Sequence, residues 1–142
     1  MRPFVLPALG ALVVLGVAAY AYWPSPTPDA SEPERGDPMV TVLVPETFSD
    51  LAILGRNAFN GVCAECHGEN AAGRFGFGPP LIHRIYEPSH HADVAFQLAA
   101  AQGVGAHHWR FGNMPAQPDV TRGDVVAIVA YVRELQRANG ID

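Results

Sequence analysis

The chain opens on an unbroken apolar stretch. Phe4 to Trp23 spans about twenty residues without a charge, enough to cross a bilayer as a helix. Arg2 and the amino terminus put positive charge on the near side, and Tyr20, Tyr22 and Trp23 put an aromatic belt on the far side. That pattern predicts one span, with everything after Trp23 exported. The alternative is a cleaved signal peptide with Ala19-Tyr20-Ala21 as its cleavage site. The length of the apolar run and the tether-like segment behind it favour a retained anchor over residues 1–23. Export is common to both readings.

Pro24 to Pro38 (PSPTPDASEPERGDP) is rich in proline, serine and acid and has no apolar period, so an extended, solvated linker is expected. At about 3.1 Å per residue it would reach roughly 45 Å. Met39 to Val44 (MVTVLV) is a short, β-leaning apolar run, able to lie on a domain as an extended arm. Linker and arm together take up residues 24–47.

From residue 48 the period becomes helical. Ser49 can cap a helix running to about Gly61, with Leu51, Leu54, Ala58 and Val62 on one face and Phe59 beside Gly55 on another. Residues 68–91 are broken by glycine and proline and read as loop. Asp93 to Gln102 (DVAFQLAAAQ) is a predicted helix ended by Gly103. Thr121 with Asp124 three later forms a capping box. It opens a helix through Ala138, with Val125, Ile128, Val132 and Leu135 at core spacing and Gly140 as the stop. No internal repeat is visible, and the domain over residues 48–142 is predicted to be all-α.

Composition narrows what such a domain can do. The chain has 142 residues and a formal charge of -5, and every one of its nine basic residues is arginine. The basic residues form no stripe, so nucleic acid is not an expected partner. About a hundred residues remain to fold, and a domain that small buries a modest fraction of its surface. A covalently held apolar cofactor would add to the core. The two cysteines stand three positions apart, too few for a multi-disulfide framework or a four-cysteine zinc site.

Those cysteines carry the chemistry. Cys63-Ala64-Glu65-Cys66-His67 is the haem c attachment pattern. Thiols three apart at a helix end present both sulfurs to the two vinyl groups on one porphyrin edge. The next residue then lies under the iron, so His67 can ligate it through Nε2. A redox dithiol belongs in a strand-then-helix context that is absent here. A zinc site needs a second cysteine pair, and a plain disulfide, which export would permit, leaves the histidine unexplained. Haem c, one per chain, is the expected cofactor.

With that box in place the chain resembles the class I monohaem cytochromes c over about residues 48–140. Gly78-Pro79-Pro80-Leu81 matches the family's Gly-Pro-x-Leu loop, Gly112-Asn113-Met114-Pro115 its late methionine before proline, and Tyr131 the aromatic of its last helix. The resemblance implies a small helical domain around one covalent haem, with Met114 as the sixth iron ligand opposite His67. It also implies that Pro79 offers its carbonyl to the Nδ1–H of His67, and that the first and last helices cross at Gly55 beneath Phe59 and Tyr131. The residues alone partly support Met114. Of three methionines, Met1 opens the chain and Met39 lies in the arm, while Met114 sits in a turn-rich segment of the domain. A gap-filling core methionine is the plain alternative.

Histidine is the rival ligand. His83, His90, His91, His107 and His108 all follow the box, and a second imidazole in place of the thioether would lower the potential. His107 and His108 precede Met114 closely enough to reach the pocket, but are expected to line its edge. His90-His91 is expected as the exposed start of a helix rather than a metal site. Arg110, Trp109, His83, Arg84 and Tyr86 are the candidate partners of the haem propionates, since buried carboxylates require donors.

An iron with ligands on both faces has no vacant position, so electron exchange through the haem edge is expected rather than catalysis on a small-molecule substrate. The anchored reading makes the chain a carrier between membrane-bound donor and acceptor complexes. Its lipid contact is through residues 4–23, on the inner membrane, with the haem domain on the periplasmic side. Other readings are a haem-bearing subunit of a fixed oxidase or dehydrogenase complex, and a five-coordinate gas-binding sensor. The best-known five-coordinate design places its box near the chain end, whereas here more than half the chain follows His67. The chain has no lysine, unlike the many soluble relatives that surround the haem edge with lysines.

Overall fold

Ser49 starts the first helix. Its backbone is extended and its hydroxyl accepts the Ala52 amide at 3.2 Å, satisfying one of the open donors of a helix start. In the computed structural model, which describes residues 32–142, α1 runs Asp50–Ala58. The predicted span over Phe4–Trp23 and most of the predicted linker lie outside the described residues. Among the described residues no helix is long and apolar enough to cross a membrane.

α1 does not stop near Gly61, where the sequence suggests an end. The chain makes one π-type turn over Phe59–Cys63 and continues as α2, Ala64–His67. Gly61 has open space around it, and a glycine weakens a helix interior by about 1 kcal/mol without ending it. The wide turn inserts an extra residue and rotates α2 relative to α1. Phe59 stays in the core while the attachment box turns outward.

Of the two faces on α1, the one that carries Gly55 and Phe59 is buried, the pair at which the first and last helices are expected to cross. Leu51, Leu54 and Val62 are exposed, and the buried side is Ala52, Gly55 and Phe59. The reason is the closeness of the crossing with α4, Arg122–Ala138. A Cβ on Gly55 would stand 1.9 Å from the Ala127 carbonyl oxygen, so only small residues fit where the helices touch. Leucines belong elsewhere. Tyr131 fills the space beside the crossing, its ring 5.4 Å from Phe48 and 5.6 Å from Phe59.

The remaining helices fall where the apolar period puts them. α3 is Asp93–Gln102, with Gly103 at its end. Thr121 and Asp124 form the reciprocal capping box at the start of α4, with Asp124 N to Thr121 Oγ1 at 3.2 Å and Thr121 N to Asp124 Oδ2 at 2.9 Å. Val125, Ile128, Val132 and Leu135 are all buried. Single 3-10 turns at Glu69–Ala71 and Arg84–Tyr86 break the loops. Among the described residues there are isolated bridges but no strand, so the domain is all-α.

The compact unit runs from Pro33 to Asp142, so residues 33–47 are part of it. Gly36 N donates to Phe75 O and Phe75 N to Asp37 O, each at 2.9 Å, and the amides of Met39 and Val40 both reach Ala72 O. Further along, Leu43 and the Asn139 side chain exchange two bonds of 2.8 Å. Val40 and Val42 pack on the core. The Arg35 and Arg74 guanidinium groups lie 4.6 and 4.1 Å from the Phe77 ring. Backbone amides that the acidic, proline-rich composition would leave in water thus find carbonyls on the 72–75 loop.

Candidate functional site

The site grows from the end of α2. Cys63 is half-buried and Cys66 exposed, both as free thiols in the places that thioether sulfurs would take. Burial pushes the Cys63 thiol up to about 11, and the nearby Cys66 adds to the rise. The loop behind them must come very close. A Cβ on Gly78 would stand 2.6 Å from the Cys66 carbonyl oxygen and 3.1 Å from the Cys66 Cβ, so glycine is what lets Gly78-Pro79 lie against the box. Arg74 holds the same loop by donating from Nη1 to the Glu65 carbonyl at 2.8 Å.

That approach sets His67. Its Nδ1 lies 2.9 Å from the Pro79 carbonyl oxygen. A carbonyl only accepts, so Nδ1 carries the proton and Nε2 keeps its lone pair. Burial holds the imidazole below its ordinary pKa, with the Pro79 bond opposing it. The ring is neutral at pH 7, the form that can bind a metal.

Met114 is placed by different bonds. It exchanges two backbone hydrogen bonds of 2.9 Å with Val104, just past the end of α3, and its side chain is half-buried. The structure therefore brings Cys63, Cys66, His67 and Pro79 into one cluster. The bonds that fix Met114 run to Val104 rather than to that cluster.

Of the candidate propionate partners, Trp109 has a distinctive position. Its indole Nε1 is buried and has no hydrogen-bond partner. The ring sits 5.4 Å from His83, edge to face, and stacks at 5.9 Å on Phe111. Burial raises the Tyr86 hydroxyl above its usual pKa, and the nearby indole opposes that rise without making a bond of proper geometry. His83 uses Nδ1 to accept the Ile85 amide at 3.2 Å. Arg84 and Arg110 are exposed.

A family model described as Cytochrome c matches residues 52–136. The chain belongs to the cytochrome c family. No curated protein and no solved structure matches it. The cytochrome's cofactor is covalent haem c, with Cys63 and Cys66 in position for attachment, and its general task is haem-based electron transfer. The residues present fit that group. Two thiols at the required spacing, a neutral imidazole with a free lone pair, and a buried indole N–H lacking an acceptor suit the vinyl, iron and propionate parts of a haem.

Two features of the cytochrome go beyond what its sequence predicts. Arg133 is buried in α4 and donates to Asp93 Oδ1 at 2.9 Å, to Tyr86 O and Gln136 Oε1 at 2.7 Å each, and to His91 O. Gln136 is fully buried and reaches Leu81 O at 2.8 Å and Tyr86 O at 2.9 Å. Arg133 directly follows the core residue Val132 and Gln136 directly follows Leu135, and that placement is the available signal. The second is a histidine cluster. His90-His91 and His107-His108 are separate pairs in the sequence, and the fold brings them together. Their ring centroids lie 5.5 Å apart for His90 and His108 and 5.4 Å for His91 and His108. Desolvation first, then the charges of His107, His91 and His90, keep the His108 imidazole below its ordinary pKa.

Proposed function

We propose that this cytochrome is a single-haem electron carrier whose iron is held by His67 and Met114. Residues 4–23 would tether it to the cell inner membrane, with the haem domain on the periplasmic side. Its partners would be membrane-bound donor and acceptor complexes. The observation that carries the reading is the bond from His67 Nδ1 to the Pro79 carbonyl. It is the arrangement that fixes a ligating imidazole's tautomer and raises its basicity.

When bound, the haem supplies a one-electron Fe(III)/Fe(II) couple. The chain's own residues do the rest. His67 offers Nε2 from a ring held in place by Pro79. Met114 offers a soft thioether from backbone pinned to Val104, a donor that favours the reduced state and raises the potential. Trp109 supplies an N–H for a propionate. With His67 and Met114 both holding the metal, no position would remain for oxygen or a small-molecule substrate, and the protein would be a carrier rather than a catalyst. A tether raises the local concentration of the domain at membrane partners, and carrier contacts are small and short-lived.

Met114→Ala tests the ligand set. It is expected to abolish the weak sulfur-to-iron absorption band at the red end of the oxidised spectrum and to lower the potential. An unchanged spectrum would place the sixth ligand elsewhere, with His107 and His108 the next residues to substitute.

A further inference from the structure

Nothing in the haem site uses His90, His91, His107 or His108, yet two loops converge to bring them together. One imidazole nitrogen from each of His90, His91 and His108 lies within 4.8 Å of the others. Three nitrogens on a tetrahedral zinc ion, with Zn–N of about 2.0–2.1 Å, stand about 3.3 Å apart. His90 and His108 are exposed, so their rings have room to turn towards His91 and close that difference.

A second observation shows that the cluster is organised. The Nδ1 of His91 lies 2.6 Å from the Ile85 carbonyl oxygen, so Nδ1 is the donor and Nε2 the free lone pair. This is the backbone support typical of metal-bound histidine. The loop bearing His91 is held in turn by Arg133, which donates to the His91 carbonyl. His107, its ring 4.3 Å from His108, has its Nδ1 2.9 Å from the Gly105 carbonyl and lies beside the three without being one of them.

We propose that His90, His91 and His108 form a binding site for one borderline divalent transition-metal ion, Zn2+ or a close relative, separate from the haem. The set consists of neutral nitrogens with no thiolate among them, so it selects Zn2+, Ni2+ or Cu2+ over the oxygen-seeking Mg2+ and Ca2+. Three protein ligands leave a fourth position for water. Because His90 and His91 come from the loop before α3 and His108 from the loop after it, the ion would staple the two loops together. The second of these loops carries Trp109 and Met114. The unfolded chain holds no such site, so binding would also stabilise the fold.

The test uses haem-loaded protein carrying no affinity tag, stripped with a chelator and titrated with ZnCl2 by calorimetry. The expected result is one Zn2+ per chain, a melting temperature that rises with Zn2+, and no saturable binding of Mg2+. His108→Gln and His90→Asn should each weaken Zn2+ binding by at least about tenfold, since losing even a supporting contact costs about 10–100-fold. The visible spectrum of both variants should be unchanged. Absence of one-to-one binding, or equal binding by the His90→Asn/His108→Gln double variant, would overturn the proposal. A changed haem spectrum in His108→Gln would overturn it too, because His108 would then serve the iron. The Zn2+ titration does not depend on whether Met114 is the sixth ligand, and the Met114→Ala spectrum does not depend on Zn2+, so the two readings fail separately.

Discussion

The two halves of this domain are held in different ways. Around the attachment box, residues 63–81 are fixed mostly by backbone. α2 presents the cysteines, Gly78 admits the loop against Cys66, and the Pro79 carbonyl sets His67. Residues 83–114 obey another logic. Apart from α3 and one 3-10 turn they are loop; side chains from α4 tie down the stretch before α3 through Arg133 and Gln136, and backbone bonds to Val104 hold Met114 beyond it. The first half is local in the chain and specified by a few residues at short range. The second is assembled across some forty residues of sequence separation. Where a cofactor's chemistry needs fixed geometry, it is built on the local half. The distant half supplies what can be adjusted, namely Met114, Trp109 and the histidines.

The largest effect should come from the local half. Cys63→Ala with Cys66→Ala should leave no haem that survives denaturing electrophoresis, as judged by haem staining of the gel. Next is the helix crossing that carries both halves. Gly55→Val pushes side-chain atoms into the Ala127 backbone and should cost roughly 3 kcal/mol or more, read as a lower denaturation midpoint. Arg133→Met would separate the halves. It takes the donor from the His91 carbonyl and from Gln136 Oε1, while Tyr86 O keeps Gln136, and should cost about 2–3 kcal/mol. Hydrogen exchange should then rise in residues 84–92 while the amides around 71–81 keep their protection. The smallest effect is expected from Trp109→Phe, which keeps the ring and removes the N–H. A propionate that loses a hydrogen bond to its charged form takes a higher pKa. The pH dependence of the reduction potential should therefore move upward in pH, with the absorption spectrum unchanged.

The same division explains how much of the fold is legible in the chain. The attachment box, the end of α3 at Gly103 and the Thr121–Asp124 capping box are short-range signals, and each appears where expected. The helical period of α4 holds because its core face is continuous from Val125 to Leu135. On α1 the apolar count alone misleads, because leucines outweigh Ala52 and Gly55; the expected crossing at Gly55 marks the buried side, since a close crossing favours the smallest residues. Gly61 looks like a stop, and only the π-type turn shows how the helix passes through it. The buried Arg133 and the meeting of the two histidine pairs depend on contacts between distant segments, and no local pattern announces them. The bond from His67 to the Pro79 carbonyl is implied by the Gly-Pro-x-Leu resemblance, and the fold makes it at 2.9 Å.

The carrier reading rests on one covalent haem whose iron would be closed on both faces. The absorption spectrum of the purified, reduced protein at neutral pH, recorded before and after adding carbon monoxide, decides it. A spectrum with six-coordinate, low-spin bands that carbon monoxide leaves unchanged is the predicted result. Ready conversion to a carbonyl complex would show an open iron and contradict the carrier assignment.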